Sequence, residues 1–429
     1  MMTTVMKFSY GPFVLFLALL APTPACSAGA RGGGFGADAA TVSMNRARGT
    51  IMKSYSTNHA SPARSGRVDA PHRLLHALTR VGSLARAPRF VLVNEAGDHV
   101  VLDHDERFEI RDAAGSPTAS GGKISNAPMQ VLADAVLTMD SSVAMNGAIG
   151  TPDGKLAGVS IDTTINEGDK RWALRLGTTD FSYIVQQKSH RSPGGVASPE
   201  GGFARTWNES EEKLVLSTEK FYSDERHNSM TVWSAQLPGR GVGAIAPDGR
   251  MVVAMTDRRF LVYDTKLRGV FRAPDPLAQA KLSFVPDDIS IVDAGVALLG
   301  AEGSGGPRFL HVLDMQGHEL WKVSAAFRVD SPPLDGGAGR VYLVGQGLAA
   351  VEDGETLWSQ ASSAQVYATA LSDGSLLVAA GPELRVVGRD GSIKQRLAVP
   401  GGHPLVAPPA VAADGSAWLA TSEGLYLAR

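Results

Sequence analysis

A short turn signal recurs at nearly constant spacing through the C-terminal half of this 429-residue chain. Its copies are Asp248-Gly249, Asp293-Ala294-Gly295, Asp335-Gly336, Asp373-Gly374 and Asp414-Gly415, and successive aspartates are 45, 42, 38 and 41 residues apart. Asp bonds to the backbone that follows it and Gly accepts a positive φ, so each copy predicts a tight turn. A period of about 40 to 45 residues indicates a repeat architecture in which each unit holds several short strands.

The same register continues towards the N-terminus, and the turns lead into apolar strands. Thr151-Pro152-Asp153-Gly154, Ser198-Pro199-Glu200-Gly201 and the weaker Glu95-Ala96-Gly97 bring the number of turns to eight. Runs such as Met251–Met255 and Leu376–Ala379 are continuously apolar, as expected for strands covered on both faces. Neighbouring blades of a propeller supply both covers. The sequence therefore predicts an all-β fold, a β-propeller of seven or eight four-stranded blades, and the turn count favours eight.

A second element follows the turns in phase. Gly317 and Gly354 are each followed four residues later by a tryptophan, Trp321 and Trp358. Weaker copies lie at Gly269 to Phe271 and at Asp390-Gly391. This pattern resembles the pyrroloquinoline-quinone-type, or quinoprotein-like, propeller repeat over roughly residues 85 to 429, most clearly from about 240 onward. The resemblance implies that Trp321 and Trp358 pack between blades, and we expect the same of Trp418 in the last apolar run.

The N-terminus predicts export. The apolar run Phe13–Ala21 follows Lys7 and is too short to span a bilayer, which is typical of a signal peptide, here assigned to residues 1–25. Cys26 is the single cysteine, and its position resembles that of the lipidated first residue of a mature bacterial lipoprotein. Cleavage by an ordinary signal peptidase after Ala25 or Ala28 is the alternative. The predicted location is the bacterial outer membrane, through the lipid, or the periplasm. A domain without a second cysteine has no internal disulfide.

Residues 26–70 have little apolar periodicity and are assigned to a flexible basic linker, with the propeller in residues 71–429. One helix is predicted from Asp69-Ala70-Pro71 to Gly82. The last blade has room for only about three strands before Arg429, so we expect a strand from the first propeller segment to complete it. The formal net charge of −2 argues against a nucleic-acid partner.

The sequence motifs predict no catalytic, cofactor-binding or metal-binding residues. Asp103-His104-Asp105-Glu106 begins like a calcium loop but continues with Arg107 and Phe108, so a charged hairpin edge is expected instead. Gly241–Ala246 mimics a dinucleotide loop, yet Pro247 follows where a helix is needed. The segment 300–306 lacks the spacing of a nucleophile elbow, although a triad assembled in space stays open.

Without the cysteines and calcium ligands of quinone-dependent dehydrogenases, the chain is more similar in size to the lipoprotein propeller of the outer-membrane β-barrel assembly machinery. That resemblance implies a protein-interaction or envelope-assembly module that binds partner proteins in the envelope and carries no cofactor. The polar segments 186–195 and 222–228 are candidate recognition loops. The alternative is a propeller enzyme, carbohydrate-active or quinoprotein-like, with its site in the central channel.

Overall fold

The computed structural model describes the chain from residue 64 onward with gaps. The described residues are 64–70, 73–94, 97–104, 107–122, 130–131, 135–137, 142–144, 158–161, 172–174, 197–198, 202–210, 212–221, 229–246, 248–264, 274–303 and 307–429. Almost every regular element among them is a β-strand; the exception is one 3-10 turn at Pro400–Gly402. No helix of the described residues is long and apolar enough to cross a membrane.

The described residues contain seven antiparallel sheets of four strands each, and we number these sheets I to VII along the chain. Sheet I is β2 (Phe90–Val93), β3 (His99–Asp103), β4 (Arg107–Asp112) and β5 (Pro117–Gly122); sheet II is β11 (Ala197–Ser198), β12 (Gly202–Ser210), β13 (Lys213–Phe221) and β14 (Ser229–Pro238). Sheet III is β15 (Gly241–Ile245), β16 (Arg250–Met255), β17 (Arg259–Asp264) and β18 (Ala278–Lys281); sheet IV is β19 (Val285–Val292), β20 (Gly295–Ala301), β21 (Arg308–Leu313) and β22 (Glu319–Ser324).

The remaining sheets complete the series. Sheet V is β23 (Leu334–Gly337), β24 (Arg340–Gly345), β25 (Gly347–Glu352) and β26 (Glu355–Ala361); sheet VI is β27 (Val366–Ala370), β28 (Leu376–Ala380), β29 (Glu383–Val387) and β30 (Ile393–Ala398). Sheet VII is β31 (Ala410–Val411), β32 (Ala417–Ala420) and β33 (Gly424–Ala428), joined by β1 (Leu78–Ser83). Two smaller sheets lie between I and II in sequence: β6 (Gln130–Val131), β7 (Ala135–Leu137) and β8 (Ser142–Ala144), then β9 (Gly158–Ile161) with β10 (Trp172–Leu174).

The sheets are the blades of a β-propeller, as predicted. The first strands of sheets III, IV, V and VI pack against one another in order, and sheet I packs against β31 and β32 of sheet VII. These first strands are therefore the inner strands. Second strands such as β28 are buried along their whole length, whereas the outermost strands β22 and β26 alternate between exposed and half-buried residues. The choice between seven and eight blades stays a prediction, because seven complete sheets and two smaller ones are described.

The last blade is closed by a strand from the other end of the chain, as predicted. β1 pairs antiparallel with β33, from Leu78 opposite Ala428 to Ser83 opposite Gly424. The helix predicted over the same segment is wrong. His76 donates its amide to the carbonyl of Arg429 at 2.7 Å, so the backbone bonds of this stretch go to sheet VII and not to a helical turn.

Four of the five recurrent turns that lie within the described residues form as the sequence predicts, and those predicted at 95–97, 151–154 and 198–201 lie wholly or partly outside these residues. In sheet VI, Gly374 donates its amide to Leu371 O, and Asp373 Oδ1 accepts the amide of Ser375 at 2.9 Å. Gly374 has φ +79°, which a residue with a Cβ rarely adopts. The same bonds recur at Asp248 and Asp414.

The turn predicted at Asp335-Gly336 is wrong by three residues. Asp335 lies inside β23, opposite Val341, and the chain reverses at Ala338-Gly339 between Gly337 and Arg340. Asp335 is completely buried, because its side chain pairs with Arg67, which lies far away in the sequence.

Candidate functional site

A segment that precedes β1 crosses the inner strands of three blades. We call residues Arg64–Ala70 the strap. All but Asp69 are buried. Asp335 of β23 donates its amide to Ser65 O at 2.7 Å, and Ser290 of β19 donates its hydroxyl to Arg64 O at 2.8 Å. The strap therefore lies on sheets IV and V at its start.

The strap ends on sheet VI. Val68 donates its amide to Ala370 O at 3.0 Å, Ala370 donates its own to Gly66 O at 3.0 Å, and Arg67 forms a parallel bridge with Ala370. These two bonds form a single parallel bridge at the last residue of β27. Residues 64–70 thus belong to the propeller body and not to the predicted linker, because their backbone groups are bonded to its inner strands.

Three aspartates converge on the two arginines of the strap. Arg64 Nη1 lies 2.8 Å from Asp288 Oδ1. Arg67 Nη1 lies 3.2 Å from Asp335 Oδ2 and 3.5 Å from Asp293 Oδ2. The second terminal nitrogen of Arg67 donates to the carbonyl of Ser372 at 2.9 Å. Each buried guanidinium is therefore matched with carboxylate charge, as burial requires.

Asp335 holds the centre of this site. Its Oδ1 accepts the amides of Asp293 at 3.2 Å and Gly337 at 3.1 Å, while Oδ2 faces Arg67. Burial raises the pKa of Asp335, the negative charge of Asp293 raises it further, and Arg67 opposes both. Removing Arg67 would leave two neighbouring carboxylates without their shared cation.

Two glycines allow the strap to lie this close to sheet V. Gly66 has φ +61°, and a Cβ there would collide with the side chain of Leu334. Gly337 has φ +70°, and a Cβ there would lie 2.7 Å from the Arg67 guanidinium. Both positions therefore require glycine for backbone geometry and for space.

A second buried polar group lies in sheet IV. The ring of His311 on β21 is fully buried and stacks on Phe284, with centroids 3.5 Å apart and planes 5° from parallel. Its Nδ1 is 2.6 Å from Glu319 Oε2, and its Nε2 is buried with no hydrogen-bond partner among the described residues. Burial lowers the pKa of His311, and the carboxylate of Glu319 only partly opposes this. The stacked, enclosed ring is a structural histidine of the blade interior.

The predicted inter-blade tryptophans lie on the outer strands next to glycines of the following blade. A Cβ on Gly354 of sheet V would lie 3.2 Å from Trp321 Cβ of sheet IV, and one on Gly391 of sheet VI would lie 2.7 Å from Trp358 of sheet V. Trp358 also donates its indole N–H to Arg389 O at 3.0 Å. In each repeat the glycine contacts the preceding blade and the tryptophan contacts the following one.

Trp418 occupies a different position. It lies on β32 with 1% of its surface exposed, inside the apolar cluster that sheets I and VII share. Its indole N–H makes no hydrogen bond among the described residues.

The remaining candidates from the sequence are resolved by their place in the fold. Asp103 ends β3 and His104 follows it, both as buried residues, so these two do not form the charged hairpin edge expected there, and Asp105 and Glu106 lie outside the described residues. Gly241–Ile245 is an inner strand, in keeping with the rejected dinucleotide loop. Cys26 and the loops 186–195 and 222–228 lie outside the described residues. Within the described part of the chain, no three His, Cys, Asp or Glu side chains are placed to hold a metal ion.

Sequence reasoning missed the strap. From sequence, Arg64 and Arg67 are predicted to belong to the basic linker, and Asp335 is predicted to be a turn residue. The available signal was local: Arg-Ser-Gly-Arg-Val places two arginines around a glycine directly before a valine that the structure buries completely.

Comparisons with known proteins extend no further than fold. No family model matches the chain, and no curated protein matches it significantly. Among solved structures, the computationally designed Ika8 protein is similar at 12% identity with a TM-score of 0.49, covering 81% of this chain and 99% of that one.

Two natural structures are also similar. The WD40 β-propeller domain of Doa1 has 10% identity and a TM-score of 0.26, over 51% of this chain and 90% of that one. A protein of unknown function from Bacteroides caccae has 14% identity and a TM-score of 0.30, over 49% and 79%. The class of this protein, a β-propeller, follows from its own sheet topology.

Proposed function

We propose that this protein is an exported β-propeller, anchored by a lipid on Cys26, that acts as a protein-interaction or envelope-assembly module without catalysing a reaction. The observation that carries the proposal is the strap. The carboxylates that converge on the inner strands are already matched with Arg64 and Arg67 of the same chain. The polar inner surface of these blades therefore binds a peptide segment of the chain itself, and this supports a role in protein binding.

The strap also supports the anchoring arrangement. It fixes the chain to the inner strands at Arg64, which lies 38 residues after Cys26. A linker of that length with the predicted composition has an average span of about 35 Å. The proposed lipid would therefore keep the propeller near the membrane and leave it free to turn towards a partner.

The test is a comparison of tagged full-length protein with a Cys26→Ala variant in envelope fractions. We expect the wild type in the outer-membrane fraction with the mass of a lipidated chain, and the variant displaced from it. Affinity capture from detergent-solubilised envelopes, followed by mass spectrometry, should recover a stoichiometric envelope protein with the wild type. Unchanged fractionation and mass in the variant would contradict the anchor, and capture of the propeller alone would contradict the assembly role.

A propeller enzyme is the second candidate, because three carboxylates do meet on the inner strands. In that role the strap would have to leave before a carbohydrate or a quinone could reach Asp288, Asp293 and Asp335. Turnover of such a compound that increases when the strap is weakened by Arg67→Ala, and is abolished by Asp335→Asn, would favour the enzyme over the interaction module.

A further inference from the structure

We propose that the inner strands of sheets IV, V and VI form a binding site for an arginine-bearing peptide segment of a partner protein, and that the strap occupies this site in cis. The inference depends on the proposed interaction role for its biological setting, but the site itself is defined by contacts within the chain.

The site recognises the main chain of its occupant. Asp335 N–H, Ser290 Oγ–H and Ala370 N–H donate to three successive carbonyls, those of Ser65, Arg64 and Gly66 respectively. The bond from Val68 N–H to Ala370 O completes one parallel bridge at the last residue of β27. Main-chain bonds of this kind are the basis of peptide recognition by strand addition, and here the occupant turns at Arg64 and Gly66, which have φ +56° and +61°.

Side chains add selectivity for positive charge at two positions three residues apart, and for arginine at the second of them. Asp288 is paired with the first arginine, and Asp335 with Asp293 is paired with the second. Arg67 uses both terminal nitrogens at once, one towards Asp335 Oδ2 and one towards Ser372 O. A lysine presents a single compact ammonium and does not reproduce this fork.

Two further positions restrict the ligand. The residue before the second arginine must be glycine, since Leu334 fills the space of a Cβ at Gly66. The residue after it is apolar, since Val68 is completely buried. The site therefore selects a basic residue, a small residue such as the buried Ser65, glycine, arginine and an apolar residue.

The strap does not satisfy the site fully. Arg64 adopts φ +56°, a left-handed conformation that is unfavourable for a residue with a side chain. The Nε of Arg67 is buried with no hydrogen-bond partner among the described residues. Covalent attachment compensates for such defects, because it supplies the strap at an effective concentration on the order of millimolar. A partner segment without these defects could compete for the site.

The test uses the full-length chain with Arg64→Ala and Arg67→Ala together, and a fluorescent peptide with the sequence of residues 62–71. Fluorescence anisotropy should show saturable binding to this variant, at least tenfold tighter than to the wild type, whose site is filled. A peptide with alanine at both arginines should bind at least tenfold more weakly, and one with lysines should bind between the two. A matched control, Arg73→Ala with Arg80→Ala, removes the same charge from exposed positions and should behave as the wild type.

Absence of saturable binding to the folded double variant would overturn the proposal, as would equal binding of the alanine peptide. If circular dichroism shows the double variant unfolded, the wild type provides the second test by hydrogen exchange. Excess peptide should speed exchange of the Val68 amide and leave that of Leu298, in β20, unchanged. The proposal would be overturned if the Val68 amide exchanged as slowly as the core amides at every peptide concentration up to several millimolar.

Peptide binding in vitro requires neither export nor Cys26, so the two proposals fail separately. Loss of membrane association with intact peptide binding would count against the anchor alone. Failure of peptide binding with a captured envelope partner would locate that partner on another surface.

Discussion

The indole N–H of Trp358 in sheet V donates a hydrogen bond to the carbonyl oxygen of Arg389 in sheet VI, over 3.0 Å. The ring also lies 5.8 Å from that of Tyr342, whose hydroxyl donates to Gly374 O in the same neighbouring sheet. Two aromatic side chains of one blade thus bond to turns of the next. The packing of these two blades therefore combines the burial of apolar surface with hydrogen bonds of fixed geometry.

Trp358→Ala should destabilise the propeller by about 3 kcal/mol, because it removes both the packing on Gly391 and the bond to Arg389. The neighbouring Leu357 is 46% exposed, and Leu357→Ala is the matched control, expected to cost about 0.5 kcal/mol or less. Urea unfolding followed by tryptophan fluorescence and circular dichroism measures both. Similar midpoints for the two variants would show that Trp358 contributes little to blade packing.

Gly391→Ala should destabilise more than Gly381→Ala, although both glycines have positive φ, +81° and +57°. A Cβ at Gly391 meets Trp358 at 2.7 Å, whereas one at Gly381 has nothing within 4 Å. Gly381→Ala, the control, should therefore lower the free energy of unfolding by about 1 kcal/mol through its backbone conformation alone. Gly391→Ala should lower it clearly more. Thermal unfolding of the pair separates the two effects; equal losses would mean that Trp358 moves aside without cost.

The stability of the protein should fall as the pH is lowered below about 6.5, in part through His311. Burial holds the pKa of His311 below its unfolded value, so the unfolded chain binds the extra proton in this window. The stabilising contribution of neutral His311 is fully present above the pKa that this histidine has in the unfolded chain. It is lost as the pH falls towards the lower pKa of the folded protein. His311→Phe keeps the stack on Phe284 and removes the titration, so its stability should depend less steeply on pH. Parallel slopes for variant and wild type would contradict this assignment.

Arg67→Ala should cost about 3 kcal/mol, because it removes the cation from beside the buried Asp335 carboxylate, which also faces the partly exposed Asp293. Arg73→Ala is the control, since that side chain is about half exposed and lies 3.7 Å from an exposed Asp414 carboxylate. A double-mutant cycle with Asp335→Asn measures the coupling. The double variant should recover part of the loss, and strict additivity of the two single changes would contradict a direct interaction.

The sequence was sufficient for the fold because the propeller signal is local and repeated. A turn such as Asp373-Gly374 and a strand such as Leu376–Ala380 are each readable within ten residues. Asp335 shows the limit of this reasoning. Its sequence context matches the turn copies, but its side chain bonds to Arg67, 268 residues earlier.

The incorrect helix prediction at β1 has the same cause, a contact with residues that are distant in the sequence. The leucines at 74, 75 and 78 have helical spacing, yet the partner that decides their conformation is β33 at the far end of the chain. A single sequence offers no signal for such a long-range pairing, and tertiary contacts override local propensity. The strap was missed for this reason as well.

The pairing of β1 with β33 also sets the order in which the molecule is completed. Leu78 meets Ala428 across about 350 residues of chain, so β1 has no partner strand until β33 has been synthesised and has reached it. Until then β1 offers an unpaired edge that can pair with another chain. Removal of residues 425–429 would take away most of β33 and leave β1 in the same exposed condition. Closure of the last blade is therefore also the step that protects the molecule from aggregation.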